Sequence, residues 1–241
     1  MAEQKKEISI IVPAYNEAVR IKKNIVAILS FLDKQKMSGE VIVVCDGSKD
    51  DTPALARQIK DRRLTVLSYH PNQGKGYAVR TGMRQACGDI RMFIDADLTI
   101  PITEVKRFVP YLQKFDIVIG SKALQLRQKK GKQKPMRIIL GRGFNLMVRM
   151  ITGLRYGDTQ CGFKMFSKRS AERIFSKVRV RRFGFDVEVL YLAKKFRFRV
   201  KELPVTLQRA ETSQVSVVSD SLNMLKDMIL IRYRDFCGKY R

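Results

Sequence analysis

Tryptophan is absent from this chain of 241 residues, and histidine occurs once, as His70. The cysteines show no CxxC pair and no metal-ligand spacing, which argues against a zinc site. There are four of them: Cys45, Cys87, Cys161 and Cys237. We expect reduced thiols of a cytoplasmic protein, although this number of cysteines would also permit a bridge.

Long apolar runs are lacking as well. The first residues, MAEQKKEISIIVP, do not contain the extended apolar core of a signal peptide. Because no run reaches the roughly 18 apolar residues that a spanning helix needs, none is expected. If the substrate is a lipid, we expect the protein to lie peripherally on the cytoplasmic face of a membrane.

Acidic residues are few, since 23 Asp and Glu stand against 48 Lys and Arg, and the formal net charge is +25. Such an excess indicates an anionic partner: nucleic acid, an anionic membrane surface or a phosphorylated substrate. The apolar fraction of 45% is ordinary for a globular protein. The length suits a single large α/β domain over residues 1–241, with two small domains as the less favoured alternative.

Hydrophobic periodicity predicts alternating strands and helices over the first 121 residues. The predicted strands are Ile8–Pro13, Glu40–Cys45, Leu64–Tyr69, Ile90–Ile94 and Asp116–Gly120. The predicted helices are Glu17–Gln35, Thr52–Asp61, Gly76–Ala86, Thr103–Tyr111 and, later in the chain, Phe185–Lys195. This alternation is typical of a doubly wound parallel sheet, in which ligands bind at the carboxyl ends of the strands.

The second half of the chain is more basic, and no acidic residue occurs between Ile117 and Gly157. The Lys-rich segment Arg127–Pro135 is predicted to be a loop. Met136–Leu154 and Ser219–Tyr240 are predicted amphipathic helices, of the kind that lies on membrane surfaces. Both could instead pack on the core with their arginines reaching water. We expect residues 1–121 to bind a nucleotide and residues 122–241 to face the acceptor and the membrane.

A pair of carboxylates, Asp95 and Asp97, follows the fourth predicted strand. In extended backbone, residues i and i+2 point the same way, so these two side chains converge. They would repel one another unless a cation lies between them, and hard oxygen ligands select Mg²⁺ or Mn²⁺. A lone Asp-x-Asp is more often a solvated turn, so its surroundings decide its meaning.

Three other predicted strand ends carry polar or glycine-rich loops: Pro13–Glu17, Asp46–Thr52 and Asn72–Gly76. Acidic and amide side chains can hold a base and a ribose. Glycines beside a lysine at the start of a helix permit close approach to a diphosphate. Each loop alone could be a turn with a helix cap. Four such ends on one edge of a sheet predict a nucleotide pocket with metal ligands.

The segments VPAYNE, DGSKDDT, NQGKGYAVRTGM, DADLT and GSKA resemble, in this order, the motifs of family 2 glycosyltransferases. Two later segments, DTQCGFKMF and FGFDVEVLYLA, resemble the dolichyl-phosphate β-glucosyltransferase branch, which is related to dolichyl-phosphate mannose synthase. The resemblance covers about Ile8 to Arg234. It implies a GT-A fold: an α/β, doubly wound, mostly parallel sheet with flanking helices and amphipathic interfacial helices.

The resemblance also implies an activity. It indicates inverting transfer of a hexose, with glucose from UDP-glucose favoured, onto dolichyl or polyprenyl phosphate. The alternative is a polyprenyl-phosphate mannosyltransferase that uses GDP-mannose.

Site residues are implied by the same resemblance. The nucleotide sugar would be bound by Pro13, Tyr15, Glu17, Asp46, Asp51, Gly74, Lys75, Asp95, Ala96 and Asp97. Asp95 and Asp97 would hold the Mg²⁺ or Mn²⁺, and the catalytic set would be Asp95, Asp97, Asp158 and Asp186. The acceptor phosphate would be bound by Arg127, Lys129, Lys130, Lys132, Arg142 and Gln160. Asp186 and Glu188 cannot both face the pocket equally, and Asp186 is the candidate for the donor sugar.

One position departs from the pattern. The glucosyltransferase branch usually has a Ser-Lys pair where this chain has Ser213 and Gln214. The diphosphate is therefore expected to be bound differently here, or to be bound by another basic side chain.

The proposed acceptor suits the residues that are present. A phosphate monoester is already anionic near neutral pH, so its attack needs no strong general base. A metal would neutralise the departing nucleoside diphosphate, and in-line attack would give a β-linked product.

Three rival functions are less well supported. A nucleic-acid-binding protein would suit the charge, but no RRM, KH or zinc-finger signature is present, and a carboxylate-lined cleft would repel a phosphate backbone. No nucleic acid is therefore expected as a partner. A nucleotidyltransferase would need a Gly-rich first loop, and a soluble-sugar acceptor would need a carboxylate base that the sequence does not identify.

Overall fold

A computed structural model describes residues 6–128, 147–208 and 217–241, without the side chains of residues 126–128 and 217–222. A seven-stranded sheet runs through it in the order β3-β2-β1-β4-β6-β5-β7. Its strands are β1 (Ile8–Ala14), β2 (Gly39–Asp46), β3 (Leu64–Tyr69), β4 (Ile90–Ile94), β5 (Ile117–Ser121), β6 (Phe163–Ser167) and β7 (Val200–Pro204). β6 is antiparallel to both of its neighbours, and the remaining pairs are parallel.

Helices cover both faces of the sheet. They are α1 (Ile21–Lys34), α2 (Thr52–Arg57), α3 (Lys75–Gln85), α4 (Val105–Phe108), α5 (Lys122–Gln128), α6 (residues 147–152), α7 (Lys168–Phe175), α8 (Phe185–Lys195) and α9 (Val217–Phe236). The alternation along β1 shows why two cores form. Ile10 and Val12 pack in the core beneath α1, whereas Ile11 packs on the other face with residues of α3 and α8. Each fully buried side chain of this size contributes about 1.5–3 kcal/mol.

The predicted strands agree with the structure to within one residue at each end, and the α/β, mostly parallel fold class is confirmed. Four helices differ from prediction, and one of them is α9, which spans Val217–Phe236 where Ser219–Tyr240 was predicted. α1 begins at Ile21 and not at Glu17, because the preceding loop is tied to the next strand end. Thr103–Tyr111 is not one continuous helix, since α4 lies between two short 3-10 turns and Pro110 interrupts the pattern. α2 ends early, at Arg57.

Of the predicted basic helix Met136–Leu154, only its last part falls within the described residues, and residues 147–152 there are helical. In the described part of the chain, no helix combines the length and the apolarity that crossing a membrane would require. The halves 1–121 and 122–241 share one sheet, because β6 lies between β4 and β5. The assignment of a separate role to each half stays a prediction.

Candidate functional site

The carboxyl ends of β1 to β5 meet at one edge of the sheet. In the parallel pairs, Ala14 lies beside Cys45, and Asp46 lies beside Tyr69. β6 runs the other way, so its first residue, Phe163, lies beside Ile94 at the end of β4. The antiparallel strand therefore brings residues 158–162 to the same edge as the four loops that the sequence singles out.

The loops after β1 and β2 are joined by hydrogen bonds. The Lys49 amide donates to Asn16 Oδ1 at 2.8 Å, and the Glu17 amide donates to Thr52 Oγ1 at 2.7 Å. Asn16 has a left-handed backbone with φ of 54°, a conformation that Asn tolerates well. These contacts fix Pro13, Tyr15 and Glu17 along one rim of the edge. The Tyr15 ring is exposed there and Asp51 is exposed at the start of α2, so both are accessible to a ligand.

Asp46 has a different environment from the one predicted. Its carboxylate accepts hydrogen bonds from the backbone amides of Gln73 and Gly74, both at 2.8 Å. The Asn72 side chain donates to the Asp46 carbonyl oxygen, also at 2.8 Å. Asp46 is buried, so in this structure it holds the loop between β3 and α3 in place. Its contact with a nucleotide stays a prediction.

The glycines at the start of α3 allow the backbone of residues 180–181 to pack closely against this helix. A Cβ at Gly74 would lie 2.5 Å from the Arg181 carbonyl oxygen, and one at Gly76 would lie 2.5 Å from the Val180 carbonyl oxygen. Gly74 also has a φ of 97°, which disfavours any residue with a side chain. The close approach at this helix start is therefore made by residues 180–181, whereas the sequence argument assigned it to a diphosphate.

Asp95 and Asp97 lie directly after β4, at the centre of the edge. Asp97 accepts a hydrogen bond from the Thr99 amide at 2.9 Å through one oxygen, Oδ1. The Asp95 carboxylate packs over Gly162, where a Cβ would lie 1.9 Å from Oδ2. Burial raises the pKa of Glu17 while Arg20 opposes this, and the charges of Asp97 and Asp95 raise it further. The three carboxylates therefore form a negative region.

This pair of oxygen donors suits Mg²⁺ or Mn²⁺, although no group of three potential metal ligands occurs among the described residues. Mg²⁺ is commonly bound by one or two protein carboxylates together with substrate phosphates and water. A cation is in fact held at this position by the protein itself, because Lys75 Nζ lies 2.5 Å from Asp95 Oδ1. The residues present thus fit a metal that is completed by its substrate.

Lys75 and Asp186 belong to a group of charged side chains in which Asp95 and Lys75 are partly exposed and Asp186 and Lys164 are buried. Burial disfavours the charged form of Lys75, but the Asp95 and Asp186 carboxylates outweigh it and raise its pKa above the usual value. Asp186 forms a salt bridge with Lys164, whose ammonium also donates to the Cys161 carbonyl oxygen at 2.7 Å. Burial raises the pKa of Asp186, although Lys164 and Lys75 oppose this. Asp186 is thus buried and paired with Lys164, and its contact with the donor sugar stays a prediction.

Glu188 faces away from this group. Its Oε2 accepts hydrogen bonds from the Arg179 and Val180 amides at 2.8 and 2.7 Å, and its Oε1 accepts one from Tyr240. It therefore joins the 179–180 segment to the carboxyl-terminal end of the chain. The expectation that Asp186 and Glu188 differ in orientation agrees with this arrangement, in which Asp186 pairs with Lys164 and Glu188 does not.

Asp158 is also engaged by the protein. Its two carboxylate oxygens accept from the Lys122 amide, at the start of α5, and from the Gln160 amide, both at 3.0 Å. Glu202, which the sequence analysis missed, accepts from the amides of Gly157 and Asp158 at 3.0 and 2.9 Å. The Gln160 side chain donates to Met224 Sδ at 3.3 Å. Asp158 therefore fixes the start of α5, and its predicted catalytic role has no support in these contacts.

The predicted acceptor-binding residues fall mostly beyond the described residues. Arg127 is a residue of α5, but only its backbone is described. Lys129, Lys130, Lys132, Arg142 and Gln214 lie outside the described ranges. The sequence analysis overlooked Lys164 and Gly162, although a lysine within the otherwise apolar strand FKMFS is a signal of a buried ion pair.

Comparisons with known proteins agree with the geometry. The model of the family described as glycosyl transferase family 2 matches residues 9–175. The chain is 33% identical to a dolichyl-phosphate beta-glucosyltransferase of Dictyostelium discoideum, over 97% of this chain and 76% of that protein. It is 32% identical to the enzyme of the same name from Homo sapiens, over 98% of this chain and 78% of that protein.

A solved structure has a similar fold. It is glucosyl-3-phosphoglycerate synthase from Mycobacterium tuberculosis, in complex with Mn²⁺, uridine diphosphate and glucosyl-3-phosphoglycerate. The TM-score is 0.66 at 22% identity, over 97% of this chain and 80% of that one. The chain therefore belongs to glycosyl transferase family 2, and it is a glycosyltransferase with the GT-A fold.

Proposed function

We propose that this enzyme transfers glucose from UDP-glucose to dolichyl or polyprenyl phosphate, with inversion at the anomeric carbon, on the cytoplasmic face of a membrane. The observation that carries the proposal is the state of three carboxylates around the site. Asp158 and Glu202 are bonded to backbone amides, and Asp186 is paired with Lys164. Each of these three is engaged by the protein, so none stands out as a base for a sugar hydroxyl. A phosphate acceptor needs no such base, because it is already anionic near neutral pH.

The relatives point the same way. The proteins at 31–34% identity over nearly the whole chain are named dolichyl-phosphate beta-glucosyltransferases, which supports glucose as the sugar and a dolichyl-type phosphate as the acceptor. Asp95 and Asp97 would hold Mg²⁺ or Mn²⁺, which would supply positive charge for the departing diphosphate. The M. tuberculosis synthase of the same fold was crystallised with Mn²⁺ and uridine diphosphate.

A donor screen tests the proposal. Purified protein with Mn²⁺ or Mg²⁺ and a short polyprenyl phosphate is given UDP-glucose, GDP-mannose or UDP-N-acetylglucosamine, and the lipid product is analysed. We expect a β-linked glucosyl lipid from UDP-glucose, and rates at least about tenfold lower with the other donors. Preference for GDP-mannose would replace this proposal by mannosyl transfer. Transfer to a free sugar but not to the lipid phosphate would refute the choice of acceptor.

Contact with an anionic membrane surface is part of the proposal. Helix α9 has two faces: Met228 and Ile231 are buried in the core, whereas Ile229, Tyr233 and Phe236 are exposed, Phe236 at 89%. Exposed aromatic and aliphatic side chains on one face of an amphipathic helix are typical of a helix that lies in a membrane interface. Each basic residue near anionic lipid adds about 1 kcal/mol of attraction.

A vesicle assay tests this part. Tyr233 and Phe236 are changed to Ser, and the Lys-rich segment is neutralised in a second variant by changing Arg127, Lys129, Lys130 and Lys132 to Gln. Both should bind vesicles containing phosphatidylserine less tightly, and the second should raise the KM for polyprenyl phosphate. Val26→Ser, at an exposed position of α1, is the control and should bind as the wild type does. Unchanged vesicle binding and unchanged acceptor kinetics would refute membrane docking by these residues.

A further inference from the structure

Four charged side chains lie together at the end of β4, two of each sign. Lys75 Nζ is 2.5 Å from Asp95 Oδ1, and Lys164 forms a salt bridge with Asp186. The Asp186 carboxylate, like that of Asp95, raises the pKa of Lys75, so the two ion pairs influence one another. The four charges sum to zero. The proposed metal ligand Asp95 is thus already paired with a cation of the protein, and a divalent cation that arrives there meets a positive charge on the same carboxylate.

We propose that Lys75 is an internal counter-ion that competes with the divalent cation for Asp95 and moves off this carboxylate when the cation binds. The proposal rests on the metal assignment made under the proposed function. An ammonium that lies 2.5 Å from Oδ1 occupies the position that a metal would take on that oxygen. The two cations also repel one another, so they do not share it.

The surroundings identify Lys75 as the cation that can move. Its side chain is 21% exposed and is carried on a flexible four-carbon stem. Lys164 has no exposed surface, and its ammonium is bound by both Asp186 and the Cys161 carbonyl oxygen.

Binding of Mn²⁺ to the protein without nucleotide tests the competition. Free Mn²⁺ is measured by electron paramagnetic resonance during titration of the wild type, Lys75→Met and Lys75→Arg. Lys75→Met should bind Mn²⁺ at least about fivefold more tightly. A factor of five corresponds to about 1 kcal/mol, the upper value for an exposed ion pair, and this pair is partly buried. Lys75→Arg keeps the positive charge and should bind nearly as weakly as the wild type.

Lys49→Met is the matched control. Lys49 is an exposed lysine at the same edge of the sheet, and the change removes the same charge without removing a contact to Asp95. Its Mn²⁺ affinity should stay within about twofold of the wild type, because exposed charges are screened. Adding Asp95→Asn to Lys75→Met should abolish the gain. Thermal unfolding of each variant checks that it is folded, and Lys75→Gln replaces Lys75→Met if that variant is not.

Equal or weaker Mn²⁺ binding by the folded Lys75 variant would overturn the proposal, since the lysine would then support the site and not compete for it. A gain that survives Asp95→Asn would also overturn it, because the metal would not be at Asp95. These results do not involve donor or acceptor. Failure of the donor screen with the wild type would refute glucosyl transfer and leave the Mn²⁺ competition standing.

Discussion

Replacing Gly162 by Ala is the sharpest test of how β6 supports the site. The added Cβ would lie 1.9 Å from Asp95 Oδ2, and contacts under 3.0 Å are essentially never seen. The Asp95 carboxylate must therefore move by more than 1 Å. It lies on a loop and is partly exposed, so it can swing away while the strand stays in place. A displacement of about 1 Å at a reacting centre can reduce a rate about 100-fold.

We expect Gly162→Ala to lower kcat for glucosyl transfer by about 100-fold and to weaken Mn²⁺ binding, with a modest change in Tm. Gly157→Ala is the matched control, because its Cβ would lie 3.2 Å from Glu202 Oε1, a contact that a slight shift relieves. Its rate should stay within about threefold of the wild type, as is usual for tolerated small shifts. Wild-type kinetics in Gly162→Ala would refute the idea that Asp95 must occupy its observed position.

Three further predictions concern separate parts of the molecule. Asp97→Asn should reduce transfer at least about 100-fold without unfolding the protein, because charge stabilisation by a metal is worth several kcal/mol. For the same reason, chelation of the metal by EDTA should stop transfer by the wild type. Full activity after exhaustive chelation would contradict this prediction. Tyr240→Phe removes the hydroxyl that donates to buried Glu188, and should lower the free energy of unfolding by about 1–3 kcal/mol in a urea titration. Glu40 has a pKa below its usual value, since hydrogen bonds from Lys6, Ser9 and the Cys87 amide outweigh the raising effect of burial. A lowered native pKa gives stability above about pH 4.5 that is lost as the pH falls through the native pKa. Glu40→Gln should therefore be less stable than the wild type at pH 7, with the difference narrowing in acid; a difference that is constant with pH would count against it.

The strands and the edge at which they end could be predicted because periodicity and loop composition are local signals. Each predicted strand matches β1 to β5 to within one residue, and Asp95 and Asp97 follow β4, although a turn replaces the extended backbone that was expected there. The position of β6 was not predicted, because strand order depends on contacts between residues far apart in the chain. β6 pairs Ile94 with Phe163, 69 positions away, and local patterns carry no record of this pairing.

The roles of single carboxylates were harder to predict than their location. Asp46, Asp158 and Asp186 all lie at the expected edge, yet each is bound by the protein's own donors. Whether a carboxylate is free or engaged depends on the direction of the side chain and on amides several residues away. Sequence spacing fixes neither of these. For Lys164 the sequence did carry a signal, because a single charged residue in a mostly apolar strand indicates a buried ion pair. The sequence analysis did not use this signal.

The antiparallel strand between β4 and β5 has a consequence for how the chain is made. When only β1 to β4 have been synthesised, the edge of β4 that later pairs with β6 has no hydrogen-bonding partner. The folded protein buries Met92, Phe93 and Ile94 of this strand completely or almost completely. Unpaired apolar edges promote aggregation. More than 60 further residues must emerge before β6 can cover that edge. The nascent protein should therefore depend on chaperones most strongly in this interval, and its first 121 residues alone should aggregate.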